Sequence, residues 1–336
     1  PARVVDLTWA TSALPSDDLL LPYGLGRSYG DVPQNNDHTL LDTSRMNRFR
    51  SFDEATGLLE CEAGTALDDI LRLAVPRGWF LPVTPGTKFV TVGGCIANDI
   101  HGKNHHRAGT FGRHVLSFEL VRSDGSRRRC IPGDPLFAAT IGGLGLTGLI
   151  TTAAIQLRRI ESSQVLIERV PFRSLDEFDA ISRACDATHE YTVAWFDSFA
   201  GRDSRGIFFK GNHAEGRRLS HHGKRQLRLP HSKMFPPVLN PFTVRAFNTG
   251  YFVANAKPKP QLVDYDPFFY PLDAVTNWNV VYGSAGFLQY QCVIPESAGL
   301  EPVAEILDLA ARTRLASFLT VIKKFGALPS PGLLSF

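Results

Sequence analysis

The chain has 336 residues, 43% hydrophobic and 21% charged side chains, and a formal net charge of +3. That content builds one or two packed domains and excludes a disordered chain, while so weak a charge bias excludes a protein that coats nucleic acid. No run approaches ~18 apolar residues, and Cys61, Cys95, Cys130, Cys185 and Cys292 lie far apart without a Cys-x-x-Cys, which excludes a spanning helix and a disulfide framework or zinc site.

No charged n-region or apolar h-region follows Pro1, so no secretory signal is read there. In chain order, Leu58 to Ala63 predicts a strand, and Thr65 to Val75 an amphipathic helix ended by Pro76 and Gly78. Ser117 to Arg122 and Arg127 to Ile131 flank the turn Ser123-Asp124-Gly125-Ser126 and predict a hairpin. Leu149 to Leu157 is β-branched and predicts a further strand. Glycine becomes sparse near Arg158 to Ser163, which places a boundary between domains 1–158 and 159–336. Beyond it, Ser174 to Thr188 predicts a helix with a near capping box, and Tyr191 to Ser198 and Gly206 to Lys210 predict strands. Gly286 to Ile294 is read as a strand, Leu300 to Arg314 as an amphipathic helix, and Ala316 to Lys323 as a strand. Mixed elements without a βαβ period give an α+β class. The stretch Lys210 to Lys233 holds seven Lys/Arg, four His and one acid, Glu215. It reads either as a solvated loop or as a surface drawn to phosphate or anionic lipid.

Two motifs mislead. Gly26-Arg27-Ser28-Tyr29-Gly30 matches a hydrolase nucleophile elbow, but a loop sequence follows it where that chemistry needs a helix. Gly143-Leu144-Gly145-Leu146-Thr147-Gly148 matches a dinucleotide fingerprint, but a strand-like segment follows, so a tight glycine turn fits better. His101, His105 and His106 lack the helix and carboxylate of a metal site, and no metal is expected. What remains is a combination. The loops Pro22 to Asp31, and Pro85-Gly86-Thr87 with Thr91 to Gly94, bracket one strand–helix unit. Successive glycines let main-chain N–H groups form a concave nest, which suits the pyrophosphate of a large dinucleotide.

These loops, with Asp99-Ile100-His101-Gly102-Lys103-Asn104-His105-His106, Ala194-Trp195-Phe196-Asp197, Gly286-Phe287-Leu288-Gln289-Tyr290-Gln291 and the run Phe318 to Gly326, carry a resemblance over nearly the whole chain. The sequence resembles the vanillyl-alcohol oxidase superfamily with its PCMH-type FAD-binding domain. More closely, it is similar to the flavin oxidases of the decaprenylphosphoryl-β-D-ribose 2′-epimerase system. The resemblance implies a two-domain fold, a PCMH-type FAD domain plus a substrate domain built on a mixed or antiparallel sheet. It implies that Tyr23, Gly24, Leu25, Gly26, Arg27, Ser28, Tyr29, Gly30, Asp31, Gly86, Thr91, Val92, Gly93 and Gly94 hold FAD. His101, Gly102, Lys103 and Asn104 would lie along the flavin, with Ile150 on the adenine side. Arg27-Ser28 stands where many members carry a flavin-linking His, so non-covalent FAD is expected.

The resemblance further implies that Lys103, Trp195, Gln289, Gln291, Lys323 and Phe325 contact substrate. Gln289 and Gln291 are expected to share the inward face of a strand, near Lys323. The family's catalytic lysine lies in a C-terminal return segment beyond Phe336, so the catalytic residue is unknown from this sequence. Phe269 and Tyr270 stand where the family has a Tyr-His pair. The implied reaction is oxidation of the 2′-hydroxyl of a polyprenyl-phosphoryl ribose to the 2′-keto sugar, with a separate NADH-dependent keto-reductase completing the epimerisation for cell-wall arabinan synthesis. No nucleic-acid partner is expected. The implied setting is the cell envelope, on a membrane surface. A sugar-lactone or alditol oxidase, and a degenerate non-catalytic flavin-binding protein, are the alternatives.

Overall fold

The computed structural model describes residues 2–15, 18–216, 218–222, 226–229, 240–282, 286–313 and 317–335. The class is α+β, and the chain divides into two compact units. The first comprises Pro1–Ser163 with the later segments Glu215–His222 and Ala327–Phe336; the second comprises Gln164–Ala214 and Gly223–Gly326.

In the first unit, β1 (Arg3–Asp6), β2 (Leu20–Tyr23) and β3 (Thr39–Asp42) form a parallel sheet in the order β1-β3-β2. Next come β4 (Phe49–Asp53), β5 (Leu58–Glu62), α1 (Leu67–Ala74), β6 (Trp79–Phe80), α2 (Val92–Ala97) and α3 (His105–Ala108). They are followed by β7 (Val115–Val121), β8 (Arg127–Cys130), α4 (Pro135–Thr140), β9 (Leu149–Gln156) and β10 (Arg158–Arg159). An antiparallel sheet runs β4-β5-β9-β7-β8, and β6 pairs with β10. α1 buries Leu67, Ile70, Leu71 and Ala74 at helical spacing and stops where Pro76 enters and Gly78 takes a left-handed φ of 80°. The predicted hairpin is β7–β8, with Leu120 opposite Arg128.

In the second unit, β11 (Gln164–Phe172), α5 (Leu175–Cys185), β12 (Tyr191–Phe196) and β13 (Gly206–His213) precede β14 (Leu227–Arg228), α6 (Pro241–Asn255), β15 (Gln261–Asp264) and α7 (Tyr265–Phe269). Then come β16 (Val275–Thr276), α8 (Glu301–Thr313) and β17 (Thr320–Ile322). The antiparallel sheet runs β15-β11-β13-β12-β17. Strand alternation splits β12 between two cores. Phe196 packs with Phe172, Phe178, Phe208, Ala304 and Leu307 on the α5/α8 side, while Trp195 packs with Ile207 and Phe252 on the α6 side.

Three expectations need correction. Gly286 to Ile294 is not a strand: residues 286–293 are exposed, and none pairs with a sheet strand among the described residues, so the backbone lacks the ladder a strand requires. The last strand is Thr320–Ile322, shorter than Ala316 to Lys323, because only Phe196, Trp195 and Ala194 of β12 register against it; residues 314–316 lie outside the described part. The basic stretch 210–233 is not one loop, since Lys210 sits in β13 with its ammonium 3.0 Å from Glu168. Arg217, Lys224, Arg225 and Lys233 lie outside the described residues.

Candidate functional site

β2 delivers the first glycine loop. Its last carbonyl, on Tyr23, accepts from the Thr43 N–H (2.9 Å) and hydroxyl (3.0 Å), which ends the strand and turns the chain outward. Gly26 and Gly30 take left-handed φ values of 60° and 63°. A Cβ on Gly26 would lie 2.1 Å from Tyr23 Oη, so a larger residue there must displace that ring. Among the described residues, no protein acceptor takes the backbone N–H of Gly24, Leu25, Gly26, Arg27, Ser28 or Gly30. The same holds for Gly86 and Thr87. Around Gly30 and Gly86 nothing lies within 4 Å of where a Cβ would stand. Open N–H donors beside empty space have the chemistry of an anion cradle, and they fit a dinucleotide pyrophosphate.

The second glycine loop is built differently. Thr91 caps α2, its Oγ1 accepting from Gly94 N–H at 3.1 Å, while Val92 N–H donates to Thr65 and Gly93 N–H to Ala63. Those three donors are committed within the unit, so this loop is not a second open nest. Gly93 is needed for close approach, because a Cβ would stand 3.1 Å from that of Ala63. The two loops meet at Gly24, where a Cβ would fall 2.6 Å from Thr91 Oγ1. Beneath them, Lys88 reaches Asp68 at 3.1 Å with both side chains buried, tying the 85–89 loop to α1. Cys95 is fully buried and burial pushes its thiol up, so it is unreactive.

The run 99–106 is anchored at both ends. Asn104 is buried and donates to the Pro82 carbonyl at 2.8 Å; a Cβ on Gly102 would sit 2.9 Å from both Asn104 Oδ1 and the Thr84 carbonyl. His101 bridges Thr110, and Lys103 is half-buried. Ile150 is buried in β9 opposite Leu120. Asp99 has a positive φ of 39° and a buried carboxylate whose two oxygens accept from Gly112 N–H (2.7 Å) and Ser330 Oγ (2.9 Å). No signal in the sequence links Asp99 to Ser330, 231 positions away. The glycine turn 142–148 is a close-packing device, with Gly148 against the Val121 carbonyl, and a strand follows it.

In the second unit, Trp195 is buried, its Nε1–H donating to the Phe318 carbonyl at 3.0 Å and its ring 4.8 Å from that of Tyr251. Trp195 registers against Val321, so continued alternation places Lys323 on the same sheet face. Lys324 goes the other way, to Asp186 at 2.8 Å. Burial pulls the Lys323 ammonium down to about 8, and among the described residues it has no carboxylate partner. Phe325 is half-buried. Gln289 and Gln291 are exposed, their side chains 3.4 Å from one another, and they are not on the sheet with Lys323. The expected inward polar pair is absent because its strand is absent. Phe269 and Tyr270 are fully buried, Phe269 packing edge-on against Tyr191 at 4.8 Å, so that pair is core.

The family profile described as an FAD binding domain matches residues 13–131, the part that carries both glycine loops and the 99–106 run. The chain is 40% identical to the protein named decaprenylphosphoryl-β-D-ribose oxidase of Mycolicibacterium smegmatis, over 92% of this chain and 72% of that protein. It is 34% identical to an uncharacterized protein in the mprA 5′ region of Streptomyces coelicolor, over 80% of this chain and 77% of that protein. Similarity to the alditol oxidase of a Streptomyces species is lower and shorter, 25% over 55% of this chain and 43% of that enzyme.

Proposed function

The chain belongs to the decaprenylphosphoryl-β-D-ribose oxidase family and is an FAD-dependent oxidoreductase, and we propose that it oxidises the 2′-hydroxyl of a polyprenyl-phosphoryl ribose to the 2′-ketone. The observation that carries the substrate class is Lys323, a half-buried cation on the sheet face of Trp195, without a carboxylate partner among the described residues. A partly desolvated charge of that kind gains from an anion that joins it, and a phosphate diester supplies one. A neutral alditol or lactone would leave it unpaired.

The residues proposed to hold FAD are Tyr23 to Asp31, Gly86, Thr91 to Gly94, His101 to Asn104 and Ile150. The open N–H groups of 24–28, 30, 86 and 87 would take the pyrophosphate. When bound, FAD supplies the acceptor for the hydride leaving C2′. The protein's own contribution is to bind and orient the sugar. Lys323 Nζ takes the phosphate, the Trp195 indole stays fixed by its bond to the Phe318 carbonyl, and Lys103 lies on the 99–106 run. Lys323 orients and is not assigned the proton of the 2′-hydroxyl. A separate keto-reductase would consume the product, and the cell envelope is the proposed setting. With Arg27-Ser28 in the first loop, FAD is held without a covalent bond. Two measurements test this reading. Acid precipitation should release all the yellow colour into the supernatant, and flavin left in the pellet would contradict non-covalent binding. In steady state a polyprenyl-phosphoryl ribose should be turned over and alditols should not; the reverse preference overturns the substrate assignment.

A further inference from the structure

β17 is a short edge strand that leads into two consecutive lysines. It pairs with β12 at three positions, Ala194–Ile322, Trp195–Val321 and Phe196–Thr320, and its other edge has no partner among the described residues. Lys323 therefore falls on the face of Trp195, and Lys324 on the face of α5. A slip of one residue would exchange the faces of every side chain in the strand. Alternation of apolar and polar residues normally forbids such a slip, but here it decides little. Val321 and Ile322 are adjacent β-branched aliphatics, and either suits the half-buried place that Ile322 takes beside the α5/α8 core. Three ladder positions and an ambiguous pattern leave the register of β17 to other contacts.

Two polar anchors supply them, one at each end. Before the strand, Ser198 Oγ donates to the Ser317 carbonyl at 2.9 Å and accepts from the Ser317 N–H at 3.2 Å. Asn248, fully buried on α6, donates to the same carbonyl at 3.3 Å and to Asp197 Oδ1 at 2.9 Å. After the strand, Lys324 Nζ lies 2.8 Å from Asp186 at the C-terminal end of α5, and 3.9 Å from Glu296, which itself meets Arg183 at 3.3 Å. Either slip would draw Ser317 away from Ser198 and Asn248. The one that carried Lys324 into the place of Lys323 would also leave Asp186 facing Phe325.

We propose that Asp186 and Ser198 are positioning residues that fix the register of β17, so that Lys323 is the cation presented on the Trp195 face. Asp186 acts through Lys324 and Ser198 through Ser317, and neither is assigned a contact with the sugar. The inference rests on the reading of Lys323 as the group that takes the substrate phosphate. An ion pair as exposed as Asp186–Lys324 adds little to stability, so its removal should show at Lys323 and not in the melting temperature.

The test uses the FAD-loaded protein and reads Lys323 twice. Labelling with acetic anhydride across a pH series, resolved lysine by lysine by mass spectrometry, follows its ammonium without any substrate. In wild type Lys323 should titrate at about 8. In Asp186→Asn and in Ser198→Ala it should move up toward the ordinary lysine value of about 10.4, because the freed strand lets the side chain reach water. Deleting the Asp186 charge alone would move it the other way, since a lost anion disfavours the ammonium. Of the groups beside the Trp195 indole, the Tyr251 phenol is held above its usual range by burial, with the Arg169 guanidinium opposing, so it does not titrate near 8. The second reading is kcat/KM for a phosphoryl ribose, which should fall about tenfold in both variants. FAD content should be unchanged in both, and the melting temperature unchanged in Asp186→Asn. Asp186→Glu, which keeps the anion, should restore both readings. A Lys323 titration that stays at about 8 or falls in either variant overturns the inference. So does wild-type kcat/KM in either variant, or a loss that Asp186→Glu shares in full. If the titration moves as described but even wild type turns over no phosphoryl ribose, the register role stands and the proposed reaction falls.

Discussion

Gly24→Val should yield a folded protein that purifies almost without FAD. The added Cβ would stand 2.6 Å from Thr91 Oγ1 and 3.2 Å from its Cγ2, and valine's two methyls deepen the overlap. The loop after β2 must then move away from α2, and Thr91, as the α2 cap, is drawn off Gly94 N–H. Losing such a cap costs about 1 kcal/mol. Displacing the N–H cradle of 24–28 and 30 costs more in ligand than in fold, because those donors bond no protein acceptor among the described residues. A loss of FAD affinity on the order of 10²-fold, about 2.7 kcal/mol, is expected. Flavin titration by fluorescence reads it, with circular dichroism to show the fold intact. Gly86→Ala is the sharper companion. Its φ is ordinary and no protein atom lies within 4 Å of the added carbon, so stability should not change. Any drop in FAD affinity then reports contact with the ligand itself. Wild-type affinity in both variants would remove the two loops from the cofactor site.

Lys323→Met should keep full FAD content yet lose most substrate-dependent flavin reduction. A mispositioned reacting carbon costs on the order of 10²-fold in rate, and the lost phosphate partner adds an increase in KM. The pH dependence separates this role from a packing role. With the ammonium held at about 8, wild-type kcat/KM should fall as pH rises through that value, and the variant should show no such limb. Stability carries the opposite sign. The folded-state pKa lies below the unfolded value of about 10.4, so the unfolded chain binds more protons between about pH 8 and 10.4, and wild-type stability rises across that window. Below it the full desolvation cost is present. The methionine variant escapes that cost, so it should be at least as stable as wild type at pH 7, with the difference gone above about 10.4. A pH-independent loss of both stability and activity would mark Lys323 as a structural residue.

Legibility in the sequence followed the range of the interaction. α1 and the β7–β8 hairpin were readable because periodicity, Pro76, Gly78 and a four-residue turn all act within a few positions. The first glycine loop was readable for the same reason. α6 was not, since Thr243, Val244, Thr249, Gly250 and Val253 all have low helix propensity; the usable signal was its Asn240–Thr243 capping box. The parallel β1-β3-β2 sheet rests on strands of four residues, too short for a clear alternation. For 286–294 the error ran the other way. Alternating Phe287, Gln289 and Gln291 suit a strand, but the pattern does not provide a partner edge. In the candidate site, the cofactor loops were local motifs, whereas the Asp99–Ser330 contact and the shared face of Trp195 and Lys323 arise only once the sheets are assembled.

Oxidation at C2′ is tested by anaerobic mixing of the FAD-loaded protein with a polyprenyl-phosphoryl ribose, unlabelled and deuterated at C2′, while following the flavin absorbance. Hydride loss from C2′ should bleach the flavin in a single turnover, with one 2′-keto sugar per flavin reduced, and more slowly with the deuterated sugar because the C2′–H bond breaks in that step. Absence of bleaching, or bleaching that is indifferent to deuterium at C2′ and leaves the 2′-hydroxyl intact, would contradict it.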